Sequence, residues 1–169
     1  MRYLTAPWRA AYVRRALDAK GCIFCDALKS DDDREAVLCR GRRAFVMLNR
    51  YPYTPGHLMI APARHVSDLA RVRPEEGAEL FALLQAAVRV LDAAYGPHGF
   101  NTGMNLGRSA GAGVAGHLHL HVVPRWTGDA NFMPLVGGTR VFIEGLDTTY
   151  ERLRPLFDRE KQRIKRAER

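Results

Sequence analysis

The run His117-Leu118-His119-Leu120-His121-Val122-Val123-Pro124 alternates imidazole and aliphatic side chains with period two. That is the pattern of a β-strand with one face buried, because successive side chains on a strand point to opposite faces. Leu118, Leu120 and Val122 are therefore assigned to a core. His117, His119 and His121 share the other face, with neighbours roughly 6.5–7 Å apart. Three of the chain's six histidines are thus concentrated on one short surface. Three readings are open at this point: a metal site, a nucleophile for phosphorus, or a polar sheet face without chemistry.

A strand of this kind needs partners, and the rest of the chain supplies them. Ala36–Arg40 and Ala44–Asn49 read as two strands around Gly41-Arg42-Arg43, a hairpin signal. Tyr51-Pro52-Tyr53-Thr54-Pro55-Gly56 is a turn segment, and His57–Pro62 a third strand. The clearest helix opens at Pro74-Glu75-Glu76 with proline at its first position and acids in its first turn. Its apolar stripe runs through Leu80, Leu83, Leu84, Ala87, Val88 and Leu91, and Gly96-Pro97 stops it. Phe100–Leu106 is a fourth strand, the histidine segment a fifth, and Thr139–Glu144 a further edge. Helices are expected near residues 6–19 (Trp8, Tyr12, Val13, Leu17) and from Thr148 to about Lys165. Successive strands around one long helix predict an α+β fold with an antiparallel sheet of about five strands.

The Gly111-Ala112-Gly113-Val114-Ala115-Gly116 loop matches the spacing of a dinucleotide-binding turn, but a strand follows it where that motif needs a helix. What survives is a glycine-rich loop whose backbone N–H groups could hold an anion beside the imidazoles. A net charge of +8 is consistent with anionic partners. Much of it lies where Arg159, Lys161, Arg163, Lys165, Arg166 and Arg169 alternate with acids. That is the pattern of a solvated terminal helix, and the absence of interleaved aromatic residues argues against a nucleic-acid partner. No apolar run is long enough for a membrane span, and the first residues lack the apolar core of a signal peptide. Cys22-x-x-Cys25 plus Cys39 is no disulfide framework. It suits a reducing, cytoplasmic setting with a metal or redox pair and one spare core thiol.

The motif His117-Leu-His119-Leu-His121-Val-Val resembles the signature of the histidine triad family of nucleotide hydrolases and transferases. The likeness extends to Leu48-Asn49-Arg50-Tyr51-Pro52-Tyr53-Thr54-Pro55-Gly56-His57, similar to the family's ribose-binding segment, and to Cys22-Ile23-Phe24-Cys25. Phe100-Asn101-x-Gly103-x-Asn105-x-Gly107 and Pro124-Arg125-Trp126-x-Gly128-Asp129-x-Asn131-Phe132 resemble the subgroup that includes diadenosine tetraphosphate phosphorylases. The His-Pro-His of a galactose-1-phosphate uridylyltransferase is absent. On this likeness residues 21–135 form the nucleotide-binding domain, 1–20 an N-terminal extension and 136–169 a C-terminal strand and helix with a basic tail. The sheet is expected to continue across a homodimer.

The resemblance also implies roles. His119 would attack the α-phosphorus as a neutral imidazole and His121 would steady the charge that builds on the phosphate. Asn49 would bind ribose, Asn105 would sit near the phosphates, and Ile23, Phe24 and Leu48 would wall the base. His57 would support the site, and Gly111, Gly113 and Val114 would cradle phosphate; Gly113 and Val114 replace the Gln-Ser that many members carry. Cys22, Cys25, His65 and His117 would hold a structural zinc, with no catalytic metal required and magnesium arriving, if at all, with the substrate. The implied activity is cleavage of dinucleoside polyphosphates through a nucleotidyl-histidine, resolved by phosphate or water. The alternatives are an adenosine 5'-phosphoramidate hydrolase, a metal-dependent hydrolase using all three histidines, and a nucleic-acid-binding protein.

Overall fold

A computed structural model describes residues 21–30, 36–129 and 144–167. The expected helix at 6–19 and most of the expected edge at 139–144 lie outside them, and Glu144 itself is not in a strand. In chain order the elements are α1 (Ile23–Lys29), β1 (Val37–Arg40), β2 (Ala44–Leu48), β3 (Leu58–Pro62), α2 (Pro74–Tyr95), β4 (Gly99–Met104), β5 (Leu120–Arg125) and α3 (Leu146–Ala167). The sheet order is β1-β2-β3-β5-β4, antiparallel throughout. The architecture is the α+β one that the sequence predicts.

The β1–β2 turn closes by a Gly41 N–H to Ala44 carbonyl bond of 2.9 Å. Glu79, reaching from α2, accepts from the Arg42 and Arg43 N–H groups at 2.6 and 2.8 Å. Helix α2 begins at Pro74, where a missing N–H costs nothing, and ends at Gly96 in the left-handed region. Leu80, Leu83, Ala87, Val90 and Leu91 are buried against the sheet, with Leu84 and Val88 on the shoulders of the stripe. Helix α3 adds Leu153 and Phe157 to the same core, and Arg89 and Glu160 bridge the two helices at 2.6 Å. Burying side chains of this size stabilises by about 1.5–3 kcal/mol each.

The other sheet face is covered differently. Phe45 and Met47 of β2, and Met59 and Ala61 of β3, form a second cluster with Phe24 and Ala27 of α1. Helix α1 had no counterpart in the sequence reading. Its C-terminal carbonyls are capped by Arg40, which donates to Leu28, Ala27 and Ser30 at 2.8, 3.1 and 2.6 Å.

The histidine segment departs from expectation at its start. The ladder begins at Leu120, so only His121 of the three histidines lies within β5. The cause is on the neighbouring strand. The Leu58↔Val122 and Ile60↔Leu120 register would place Pro62 beside Leu118, and proline has no N–H to donate. The Leu118 N–H turns instead to the Val66 carbonyl at 2.7 Å. His117 lies in a bend and His119 just before the strand; both are buried and are held by side-chain bonds rather than by a strand ladder.

Candidate functional site

Met47 pairs with Met59, and Met59 with His121, so these three share the sheet face opposite α2 and α3. Phe24 lies beneath the site, its ring centroid 5.0 Å from that of His117 and 4.9 Å from that of His119. The backbone then orients each imidazole. A carbonyl can only accept and a backbone N–H can only donate, so a ring nitrogen bonded to either has its protonation fixed.

His119 Nδ1 lies 2.8 Å from its own segment's His117 carbonyl, so Nδ1 carries the proton and Nε2 holds the lone pair. Burial holds the His119 pKa below the ordinary imidazole value, against the smaller upward pull of that hydrogen bond. The ring is thus neutral near pH 7 with one basic nitrogen available. His57 Nδ1 accepts the Tyr53 N–H at 3.0 Å, which places its proton on Nε2. His57 Nε2 is 2.9 Å from His121 Nδ1, so it donates there and His121 in turn carries its proton on Nε2. The His119 and His121 ring centroids are 4.9 Å apart and nearly perpendicular. The pair therefore offers a nucleophilic nitrogen beside an N–H donor.

His117 faces the other way. Its Nε2 donates to the Pro62 carbonyl at 2.9 Å, leaving the Nδ1 lone pair aimed at Cys22 Sγ (3.2 Å) and Cys25 Sγ (3.6 Å). Cys25 Sγ is also 3.3 Å from His65 Nδ1, and all four donor atoms lie within 4.8 Å of one another. Two ligands at about 2.0–2.3 Å from one tetrahedral ion are about 3.6 Å apart, which these separations match. Desolvation, and then the hydrogen bond that the Cys25 thiol donates to Cys22, hold the Cys25 pKa above its ordinary value, and a divalent cation reverses that by binding the thiolate. The donor set thus fits a closed Cys2His2 metal centre.

Other expected residues fall into place around these two groups. Asn49 is buried with its amide nitrogen 3.4 Å from the His57 ring nitrogens, and its Oδ1 accepts the Tyr51 N–H at 2.9 Å. Asn105 reaches the Gly111 carbonyl at 3.5 Å and so tethers the glycine-rich loop. Val114 packs on the Phe24 cluster, whereas Gly111 is exposed in the left-handed region and Gly113 is half-buried. Ile23 is 37% exposed while Phe24 is fully buried, so of the two only Ile23 offers surface to a ligand. Leu48 is displaced from its expected role. It lies across from Leu58 in the helix-side core, and strand alternation puts Met47, not Leu48, on the histidine face. The sequence reading missed Met47 and Met59, and also the Pro62 carbonyl and Tyr53 N–H, because main-chain groups leave no residue-type signal.

The HIT domain signature covers residues 32–128. The chain is 48% identical over 126 residues to an AP-4-A phosphorylase of Mycobacterium tuberculosis, covering 75% of this chain and 65%, just under two thirds, of that protein. It is 30% identical over 100 residues to a bis(5'-nucleosyl)-tetraphosphatase of Schizosaccharomyces pombe, covering 59% of this chain and 54% of that one. Among solved structures, a Zn-bound histidine triad family protein from Mycobacterium smegmatis aligns with TM-score 0.67 at 26% identity over 84% of this chain and 96% of its own. A hypothetical histidine triad nucleotide-binding protein of Sulfolobus tokodaii aligns with TM-score 0.65 at 26% identity, over 86% and 95%.

Proposed function

The chain belongs to the HIT domain family, and from that premise we propose that it cleaves dinucleoside polyphosphates of the diadenosine tetraphosphate type through a nucleotidyl group carried on His119. The observation that carries the reading is the proton placement on three rings. His119 presents an unprotonated Nε2, and His121, set through His57 by the Tyr53 N–H, presents an Nε2–H.

In the first half-reaction His119 Nε2 bonds to the α-phosphorus and the P–O bond to the remaining phosphates breaks, releasing a nucleoside triphosphate. The His121 N–H donates to the phosphate oxygen as charge builds on it. In the second half-reaction an oxygen of inorganic phosphate, or of water, bonds to the same phosphorus and the P–N bond breaks. The product is a nucleoside diphosphate with phosphate and a monophosphate with water. Splitting the displacement this way gives each step an accessible nucleophile. Asn49 suits a ribose hydroxyl because its amide can donate and accept. Ile23 offers surface to the base, Phe24 supports the reacting rings from below, and Asn105 with Gly111, Gly113 and Val114 shapes the phosphate loop. Any magnesium enters with the polyphosphate.

Cys22, Cys25, His65 and His117 would hold zinc. The ion supplies a structural cross-link between α1 and the histidine segment, since four protein donors leave no open position. Free thiols at Cys22, Cys25 and Cys39 suit a reducing cytoplasm, and among the described residues no helix is long and apolar enough to cross a membrane. A homodimer is supported by β4, which among the described residues ends the sheet, with Asn101, Thr102 and Gly103 exposed along its outer edge.

Incubation with diadenosine tetraphosphate, with and without phosphate, tests the reading. ADP formed only with phosphate establishes phosphorolysis, and AMP formed without it establishes hydrolysis. Turnover of adenosine phosphoramidate alone moves the substrate class, and no turnover of either rejects the enzyme.

A further inference from the structure

Of the four donors at the metal centre, His65 is the exposed one, and it stands on the connection between β3 and α2 rather than on a helix or strand. Burial does not hold it in place. Its neighbours do. The Ala63 N–H donates to the Arg43 carbonyl and the Val66 carbonyl accepts from Leu118, each at 2.7 Å. Between them Arg64 forks onto Glu76, with Nε to Oε1 and Nη2 to Oε2 both at 2.8 Å. The same Nη2 reaches the Arg71 carbonyl at 2.8 Å, and Glu76 Oε2 also accepts the Arg73 N–H at 2.9 Å. The Glu76 side chain is only 5% exposed. Residues 63, 64 and 66 are therefore all fastened, and His65 is the position left to reach toward the thiols.

We propose that Glu76 is a positioning residue for the metal centre: through Arg64 it fixes the backbone that presents His65, so retention of the ion depends on an ion pair that touches none of its ligands. The inference rests on the zinc reading above. A half-buried ion pair contributes little net stability, because desolvation and solvent screening offset most of the attraction, but a two-pronged fork fixes geometry. The fork from Arg64 also holds the Glu76 carboxyl down to about 2, so the pair is charged at neutral pH. Without it the connection keeps its anchors at Ala63 and Val66 but gains rotation between them, and the exposed ligand is the first to leave.

The test is the rate at which the zinc-loaded full chain yields its metal to a chromogenic chelator. Glu76→Gln and Arg64→Lys should each release zinc at least about 10-fold faster than wild type, the scale seen when outer partners of metal ligands are removed. Arg64→Lys keeps a positive charge opposite Glu76, so it preserves the test if Glu76→Gln does not fold. Leu83→Ala opens a cavity under α2 without touching the fork, and should release zinc at the wild-type rate. A wild-type release rate in both fork variants overturns the positioning role, as does equal acceleration in Leu83→Ala, which would trace the effect to general loosening of α2. A wild-type chain that takes up no zinc removes the centre itself. Zinc bound in wild type with unchanged release in the fork variants removes only the role of Glu76.

Discussion

On one side of the His117–His121 segment, four donors converge with their lone pairs turned toward a common point. On the other lie three imidazoles, His119 on the segment before β5, His121 within β5 and His57 in the turn before β3, of which His119 offers a lone pair and His121 a proton. Both groups use histidine, and a single residue separates His117 from His119. What divides them is which ring nitrogen the main chain occupies: Nε2 of His117 on the Pro62 carbonyl, Nδ1 of His119 on the His117 carbonyl. Here the direction of each ring's lone pair is set by backbone hydrogen bonds rather than by residue type.

The sharpest way to break that division is His119→Ala. Nucleotidyl transfer should fall by about 10^4-fold or more, on the order of 5 kcal/mol of transition-state stabilisation, while zinc content stays at the wild-type level. Assay of both quantities on one preparation decides it, and loss of zinc would merge the two groups. Cys22→Ser is the converse. It should cost about 4 kcal/mol of stability by denaturant unfolding, with activity falling only as the folded fraction falls. His57→Ala should lower kcat about 100-fold, or nearly 3 kcal/mol, by releasing His121 from its fixed proton arrangement, again with zinc retained.

The smallest effect concerns Glu76, whose carboxyl is lowered from an ordinary value near 4.5 to about 2 in the folded protein. A depressed carboxyl contributes stability that is present above its unfolded pKa and is lost as pH falls through the folded one. Wild type should therefore unfold at higher temperature than Glu76→Gln at neutral pH. Thermal scans at successive pH values should show the gap closing as pH falls from about 4.5 toward 2.

Much of this was legible in the residues, and the failures have separate physical causes. The hairpin, the long helix and the alternation at Leu120–Val122 were read from local pattern, which the sheet then satisfied. Helix α1 was not, because seven residues carry too little periodicity and its C-terminus is capped from β1 by Arg40. Leu48 was assigned to the wrong face because every residue of β2 is buried, which erases the alternation that would reveal sidedness. The early end of the ladder before Leu120 follows from Pro62, and only the strand register shows which residue it faces. Proton placement on His121 depends on His57, 64 residues away, beyond any local signal.

Gly56 adds a consequence for motion. Its φ of +74° suits glycine, and a Cβ there would stand 2.9 Å from Leu91 Cδ2 and 3.0 Å from Tyr95 Cε2. The turn that supplies the Tyr53 N–H and His57 is therefore pressed onto the last turns of α2. Loops that serve active sites are commonly drawn from the least stable parts of a fold and open on their own. This turn has no such independence. Swinging it outward means lifting it off the core helix, so its amide hydrogens should exchange with solvent on the timescale of the core rather than that of the surface. On the proposed function, substrate then enters past a wall that the fold has already set.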